Sequence, residues 1–248
     1  MKDRILEKLS EIEQDKGIKI LFAVESGSRA WGFASPDSDY DIRFVYKQDL
    51  EAYLSLWEGK DTIEFMTEDD LDGSGWDLKK ATTLLSKTNA SFLGWLFSPE
   101  VYLDKGETLK KMKALAERNF NPIAGFHHYN SMNKGFYDQL DNDDLSIKSF
   151  FYAMRTALCA NWIMKFGSIP PVLFTELYPL VDSQTSEALD ALIVRKSSAD
   201  EKEVLQIPDF LKKNLKEIVD ENESRKDRLT PGKVDYSDFN SFFLKQLR

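Results

Sequence analysis

The stretch that decides the fold runs from residue 24 to residue 44 and reads V-E-S-G-S-R-A-W-G-F-A-S-P-D-S-D-Y-D-I-R-F. Its last third alternates polar and apolar residues, which is typical of a β-strand. Because alternate side chains of a strand point to the same face, Asp39 and Asp41 lie about 7 Å apart on one face and repel each other. A folded protein accepts such a pair when the face is in water or when a positive group lies between the carboxylates.

Strand and helix patterns alternate in the first part of the chain. Residues 18–25 (I-K-I-L-F-A-V-E) form a nearly unbroken apolar run, which predicts a strand buried on both faces. Residues 39–46 predict a second strand, and residues 62–65 (T-I-E-F) a third. The glycine-rich stretch L-D-G-S-G at residues 71–75 predicts a turn, followed by a helix that begins at Trp76.

The character of the sequence changes after residue 105. Residues 107–248 repeat the helical spacing of apolar side chains and contain little that favours a strand. The sequence therefore predicts an α+β protein, with a mixed-sheet domain over residues 1–105 and an all-helical domain over residues 106–248.

Composition excludes several classes of protein. The net charge of -9 argues against a protein that coats nucleic acid by bulk electrostatics, so any such contact is local. One cysteine, Cys159, and two adjacent histidines provide no zinc-site spacing, and no P-loop motif is present. The chain has no apolar run of about 18 residues, and we expect a cytoplasmic protein with no membrane contact.

The residues around Asp39 and Asp41 suit metal-dependent phosphate chemistry. Gly27 lets the backbone approach a phosphate closely, and a helix capped by Ser28 would supply N–H donors. Two Mg²⁺ ions about 3.5–4 Å apart, for which Mn²⁺ can substitute, would hold an NTP and activate an attacking hydroxyl. A metal between the carboxylates would then explain why the two acids are tolerated.

A family resemblance makes this hypothesis more specific. Gly27-Ser28, followed after ten residues by D-Y-D-I, resembles the signature of the DNA polymerase β-like nucleotidyltransferase superfamily. The longer string E-S-G-S-R-A-W-G-F-A-S-P-D-S-D-Y-D-I-R resembles the branch of predicted nucleotidyltransferases that is associated with RNA repair. The resemblance implies that the Gly-Ser pair holds the nucleotide phosphates and that Asp39 and Asp41 bind the metals. Residues 1–105 would then be the catalytic domain and residues 106–248 a substrate-binding domain.

The superfamily normally carries a third acid on a neighbouring strand, where it helps to deprotonate the attacking hydroxyl. Asp72 is the first candidate for a catalytic and metal-binding role, because its distance to Lys79-Lys80 resembles the family pattern. Glu64, on the polar face of the third strand, is an alternative. Asp77 is another, although the spacing from Ser74 to Asp77 also fits a capping box.

Further side chains are candidates for binding the nucleotide. Arg29 and Arg43 could reach phosphate oxygens and Lys80 could contact a triphosphate, although ordinary solvated surface residues explain all three as well. Three residues of the helical domain recur at i, i+4 and i+7 on one helix face. A polar and aromatic stripe of this kind can grip a nucleotide or a template end by stacking and charge, although an ordinary surface stripe explains it equally well. These candidates are Arg29, Arg43, Lys80, Lys148, Tyr152 and Arg155.

The sequence thus predicts a nucleotidyltransferase that moves an NMP from an NTP to an acceptor hydroxyl and releases pyrophosphate. An RNA 3′ end is one acceptor, and a small hydroxylated molecule or a protein side chain are others. The alternative is a non-catalytic module of the same fold that senses a nucleotide. We rank it second because the chain retains both Asp39 and Asp41. The oligomeric state and the preferred NTP do not follow from the sequence.

Overall fold

A mixed β-sheet and a set of α-helices make up the protein, which confirms the predicted α+β class. The structure is a computed structural model that describes residues 1–57, 59–137, 146–198 and 206–248. The strands are β1 (Lys19–Glu25), β2 (Tyr40–Lys47), β3 (Thr62–Met66), β4 (Leu71–Asp77) and β5 (Val101–Asp104). The helices are α1 (Lys2–Lys16), α2 (Gly27–Trp31), α3 (Leu50–Leu54), α4 (Leu78–Ser86), α5 (Ala90–Leu96), α6 (Thr108–Arg118), α7 (Pro122–Tyr137), α8 (Ile147–Phe166), α9 (Ser183–Ser198), α10 (Asp209–Arg225) and α11 (Tyr236–Leu247), with 3₁₀ turns at Phe174–Leu180 and Lys226–Arg228.

The described residues divide into two compact units. The first comprises residues 1–30, 39–119 and 234–248, and the second comprises residues 31–38 and 120–233. Helices α6 and α11 therefore belong to the first unit although both follow residue 105. An amphipathic pattern reveals that a helix has an apolar face, but not which core that face covers: α6 packs against β1, and α11 packs against α4. The assignment of catalysis to one domain and substrate binding to the other stays a prediction.

Strand β2 lies in the middle of the sheet, whose order is β3-β4-β2-β1-β5. It pairs antiparallel with β1 and parallel with β4. Every residue of β1 after Lys19 is buried, which confirms the predicted strand with both faces covered. Ile42 and Phe44 of β2 pack in one cluster with the apolar face of α1. Because side chains alternate, Asp41 and Arg43 point to the other face of the sheet.

The glycine-rich stretch at residues 71–75 forms the first five residues of β4, so the predicted turn was wrong. The two glycines, Gly73 and Gly75, lie under aromatic rings of neighbouring strands. A Cβ atom at Gly73 would overlap the ring of Phe65, and one at Gly75 would overlap the ring of Phe44. Glycine in this strand makes room for the close approach of these aromatic rings. Residue composition alone does not distinguish a glycine-rich strand of this kind from a turn.

The helix predicted from Trp76 begins two residues later, at Leu78. Asp77 is its N-cap residue, and its carboxylate accepts a hydrogen bond of 2.8 Å from the backbone N–H of Lys79. Ser74 lies within β4, so the predicted capping box from Ser74 to Asp77 was wrong. The physical reason is that the extended strand continues to Asp77.

The second unit is helical and is built around α8. Both α7 and α10 pack against α8, and the side chain of Cys159, on α8, is buried. Among the described residues, no strand follows β5. None of the helices in the described ranges is long and apolar enough to cross a bilayer.

Candidate active site

Two of the predicted acids lie beside each other on the neighbouring parallel strands β2 and β4. Asp41 and Asp72 are register partners, so their side chains lie side by side on the same face. The Nη2 atom of Arg43 donates hydrogen bonds to Asp41 Oδ1 at 2.7 Å and to Asp72 Oδ2 at 2.8 Å. In the structure, the positive group beside the clustered acids is therefore an arginine.

The guanidinium of Arg43 is also fixed by main-chain acceptors. Its Nη1 atom donates to the carbonyl oxygens of Ile42 at 3.2 Å and of Asp72 at 3.0 Å. Only 16% of the side chain is exposed. Four acceptors thus hold the planar group in one orientation.

The loop that follows β1 lies directly against Asp41. The backbone N–H of Ser26 donates to the carbonyl oxygen of Asp41 at 2.8 Å. Gly27 has a φ of 61°, and a Cβ atom on it would stand 2.8 Å from Asp41 Cγ, closer than real contacts allow. Helix α2 begins at Gly27 and is five residues long, so the predicted Ser28-capped helix start was wrong. The site needs glycine here both for its conformation and for space.

Asp39 lies one residue before β2 and is exposed. Its carbonyl oxygen accepts a hydrogen bond of 3.1 Å from Arg29 Nε, and the Arg29 guanidinium lies 3.9 Å from the ring centre of Tyr40. Arg29 thereby fixes the backbone that carries Asp39. The catalytic role of Asp39 and the phosphate-binding role of Arg29 stay predictions.

Sequence reasoning missed a buried acid, Glu25, at the end of β1. It is 1% exposed. Its Oε1 atom accepts the backbone N–H of Asp41 at 2.8 Å, and its Oε2 atom accepts the hydroxyl of Tyr102. Burial raises the pKa of Glu25 above its ordinary value, although these hydrogen bonds lower it. An acid that ends a buried apolar run was the signal that could have revealed it. Nothing in the sequence around Tyr102 pointed to this contact.

The electrostatics around Asp41 favour an additional cation. Burial raises the pKa of Asp41, and the carboxylates of Asp72 and Asp39 raise it further, while the charge of Arg43 lowers it. Carboxylate oxygens are the donors that Mg²⁺ and Mn²⁺ prefer. The donor set therefore fits a divalent cation, although no preformed group of three or more metal-ligating side chains occurs within the part of the chain that the structure describes.

Of the three candidates for the third acid, Asp72 is the one that the structure brings to Asp41. Glu64 is exposed on the edge strand β3 and is paired in register with Ser74. Asp77 lies at the far end of β4, where its carboxylate also binds Gln48 and Tyr53.

Lys80 does not lie with the acids. Its Nζ atom donates to Asp61 Oδ1 at 2.9 Å and to Thr62 Oγ1 at 2.6 Å. Lys80 lies in α4, the helix that follows β4. The last residue of β4, Asp77, is five residues beyond Asp72, or about 16 Å along the strand. There it lines a separate cleft of about 530 Å³. The spacing in sequence resembled the family pattern, but an extended strand separates the two positions.

The three candidates in the helical region lie on α8 of the second unit. Lys148 is exposed, and the ring of Tyr152 packs edge-on against Trp31. Arg155 is buried: it donates to the carbonyl oxygen of Val172 at 3.2 Å, and its guanidinium lies 4.5 Å from the ring centre of Trp31. The three residues therefore do not form one exposed stripe, because Arg155 turns into the interior of this unit.

A family model matches nearly the whole chain. This is the RlaP model, described as "RNA repair pathway DNA polymerase beta family", and it matches residues 1–245. The chain belongs to the RlaP family. Membership confirms the resemblance to polymerase β-like nucleotidyltransferases that residues 24–44 indicated.

Individual proteins similar to this RlaP chain add little about its activity. The uncharacterized protein YcgL of Bacillus subtilis (strain 168) is 41% identical over 204 residues, which cover 81% of this chain and 78% of that protein. The crystal structure of a nucleotidyltransferase-like protein from Exiguobacterium sibiricum covers 96% of this chain and 77% of that protein, with 12% identity and a TM-score of 0.35. That similarity is too weak to support a conclusion about this RlaP protein.

Proposed function

We propose that this RlaP-family protein transfers an NMP from an NTP to an acceptor hydroxyl. The supporting observation is that Gly27, Asp41 and Asp72 lie together at one end of the β2–β4 pair, with Asp39 beside them. These are the residue types that nucleotidyl transfer needs, and family membership supports the same reaction.

The proposed reaction makes one bond and breaks one bond. The acceptor hydroxyl oxygen attacks the α-phosphorus of the NTP, and the bond from that phosphorus to the α–β bridging oxygen breaks. Pyrophosphate leaves with the electron pair. Asp72, whose side chain is 36% exposed, accepts the hydroxyl proton. The backbone at Gly27 and the hydroxyl of Ser28 bind phosphate oxygens, next to the Asp41 carboxylate that fills the place of a Cβ at Gly27.

A divalent cation completes the proposal. Asp39, Asp41 and Asp72 would hold Mg²⁺ or Mn²⁺, which supplies charge neutralisation on the triphosphate and activation of the attacking hydroxyl when bound. Arg29 and Arg43 would add positive charge beside the phosphates. Lys80 is left out of the proposal, since it pairs with Asp61 at the other end of β4.

An RNA 3′ end is the acceptor that the family description supports. The net charge of -9 implies that such contact is local rather than spread over the surface. We assign substrate binding to the second unit, where Lys148 is exposed on α8. We also propose a cytoplasmic location, which suits a chain whose single cysteine is a buried thiol.

A label-transfer assay tests the proposal. The purified protein is incubated with Mg²⁺ and each α-³²P-labelled NTP in turn, together with short RNAs that end in a 3′ hydroxyl. The same RNAs with a 3′ phosphate are the matched control for the acceptor. We expect label only on the 3′-hydroxyl RNAs. Label on a small molecule or on protein would retain the reaction and change the acceptor. If an NTP binds but no acceptor is labelled, the protein is a nucleotide-sensing module and the proposed transfer is wrong.

A further inference from the structure

The carboxylates of Asp41 and Asp72 share one cationic group. Asp41 Oδ1 and Asp72 Oδ2 both accept hydrogen bonds from the same nitrogen, Nη2 of Arg43. An ion that bridged these two oxygens would have to take the place of that nitrogen.

Arg43 is not held by the acids alone. Its Nη1 atom donates to the carbonyl oxygens of Ile42 and Asp72, and these main-chain acceptors belong to paired strands of the sheet. The guanidinium stays charged at every physiological pH. Moving this mostly buried cation away would leave it and two carbonyl groups without their hydrogen bonds, which is costly. The contacts therefore favour an arginine that stays in place when substrate binds.

A second position for positive charge remains on the other side of Asp41. Its Oδ2 atom faces Gly27, away from the oxygen that Arg43 binds. Asp39 is exposed and lies two positions before Asp41 in the chain. Gly27 belongs to the segment that we propose binds the triphosphate.

We infer that Arg43 is a built-in cation that replaces one of the two divalent ions of the site. The protein then binds one divalent ion per chain, at Asp39 and Asp41, in complex with an NTP. This inference rests on the proposed function. It narrows the expected number of Mg²⁺ ions from two to one, and it leaves Asp72 bound to Arg43 instead of to an ion.

The number of bound ions can be counted directly. Mn²⁺ is titrated into the protein saturated with an α,β-methylene NTP analogue, and free Mn²⁺ is followed by electron paramagnetic resonance. We expect one bound ion per wild-type chain. In Arg43→Gln, which removes the charge, we expect two. Arg4→Gln, which removes a half-exposed arginine from α1, is the matched control and should bind one.

The outcomes separate this inference from the proposed function. Two ions per wild-type chain would overturn the inference, and this count does not depend on whether Arg43→Gln folds. One ion in both wild type and folded Arg43→Gln would overturn it too, because Arg43 would then not be the group that excludes the second ion. If wild type binds one ion but never transfers label to any acceptor, the proposed function fails while the ion count stands.

Discussion

Gly27 and Asp41 lie so close that only a residue without a side chain fits between the β1 loop and β2. A Cβ atom on Gly27 would stand 2.8 Å from Asp41 Cγ and even closer to its Oδ2 atom. The loop that we propose binds phosphate is thus in direct contact with the strand that carries Asp41, although thirteen residues lie between Gly27 and Asp41 in the sequence.

Replacing Gly27 by alanine should abolish transfer, because the new methyl group pushes the Asp41 carboxylate out of place. Gly17→Ala is a matched control, since Gly17 has the same φ of 61° but a Cβ on it would meet no atom of the described residues within 4 Å. Backbone strain should cost each variant about 1–2 kcal/mol of unfolding free energy. Urea unfolding and label transfer should show that both are destabilised and that only Gly27→Ala is inactive. Equal activity of the two variants would contradict the contact with Asp41.

Glu25 should act through the backbone of Asp41. In Glu25→Ala, the buried N–H of Asp41 loses its acceptor, which should cost about 1–3 kcal/mol of unfolding free energy. Glu25→Gln retains an oxygen that can accept this hydrogen bond and should keep most of the stability and activity. Chemical unfolding of both variants measures the difference. If Glu25→Gln were as unstable as Glu25→Ala, the negative charge, rather than the hydrogen bond, would be the essential property.

The alternation of polar and apolar residues predicted the part of the fold that carries the site. Asp41 and Arg43 lie on the face opposite Ile42 and Phe44, because a strand in a layered protein must turn its apolar side chains toward a core. The buried run of β1 was predicted for the same reason. Asp72 was chosen by family resemblance, and the structure places it next to Asp41.

What the sequence could not predict depends on contacts between distant residues. Gly73 and Gly75 are glycines because the rings of Phe65 and Phe44 lie over them, and both rings come from other strands. Arg155 is buried because it contacts Val172 and Trp31, and the helical periodicity of α8 gives no information about contacts with residues outside that helix. The hydrogen bonds from Arg43 to both acids likewise depend on strand pairing and on the rotamer of one long side chain.

The stability of the metal-free protein should depend on pH through Asp41. Because burial raises the pKa of Asp41, the folded protein binds this proton more tightly than the unfolded chain does. That contribution to stability is present below the unfolded pKa, about 4, and is lost as the pH rises through the folded pKa. Asp41→Asn should therefore gain stability relative to wild type as the pH rises above about 4.

Urea unfolding in the presence of a chelator, at several pH values, measures this difference. Asp39→Asn removes the same charge from an exposed position and should show a smaller pH-dependent gain. Added Mg²⁺ should stabilise wild type more than Asp41→Asn. A difference between wild type and Asp41→Asn that does not change with pH would contradict the assigned burial of this carboxylate.

The most direct test of the account compares label transfer with pyrophosphate release in wild type and in Asp39→Asn/Asp41→Asn. Nucleotidyl transfer requires one pyrophosphate for each labelled acceptor, whereas hydrolysis of the NTP alone would leave the label on free NMP or NDP and give no labelled acceptor. We expect equal amounts of labelled acceptor and pyrophosphate from wild type in Mg²⁺, and neither from the folded double variant. Equal transfer by both proteins would show that Asp39 and Asp41 do not form the catalytic site.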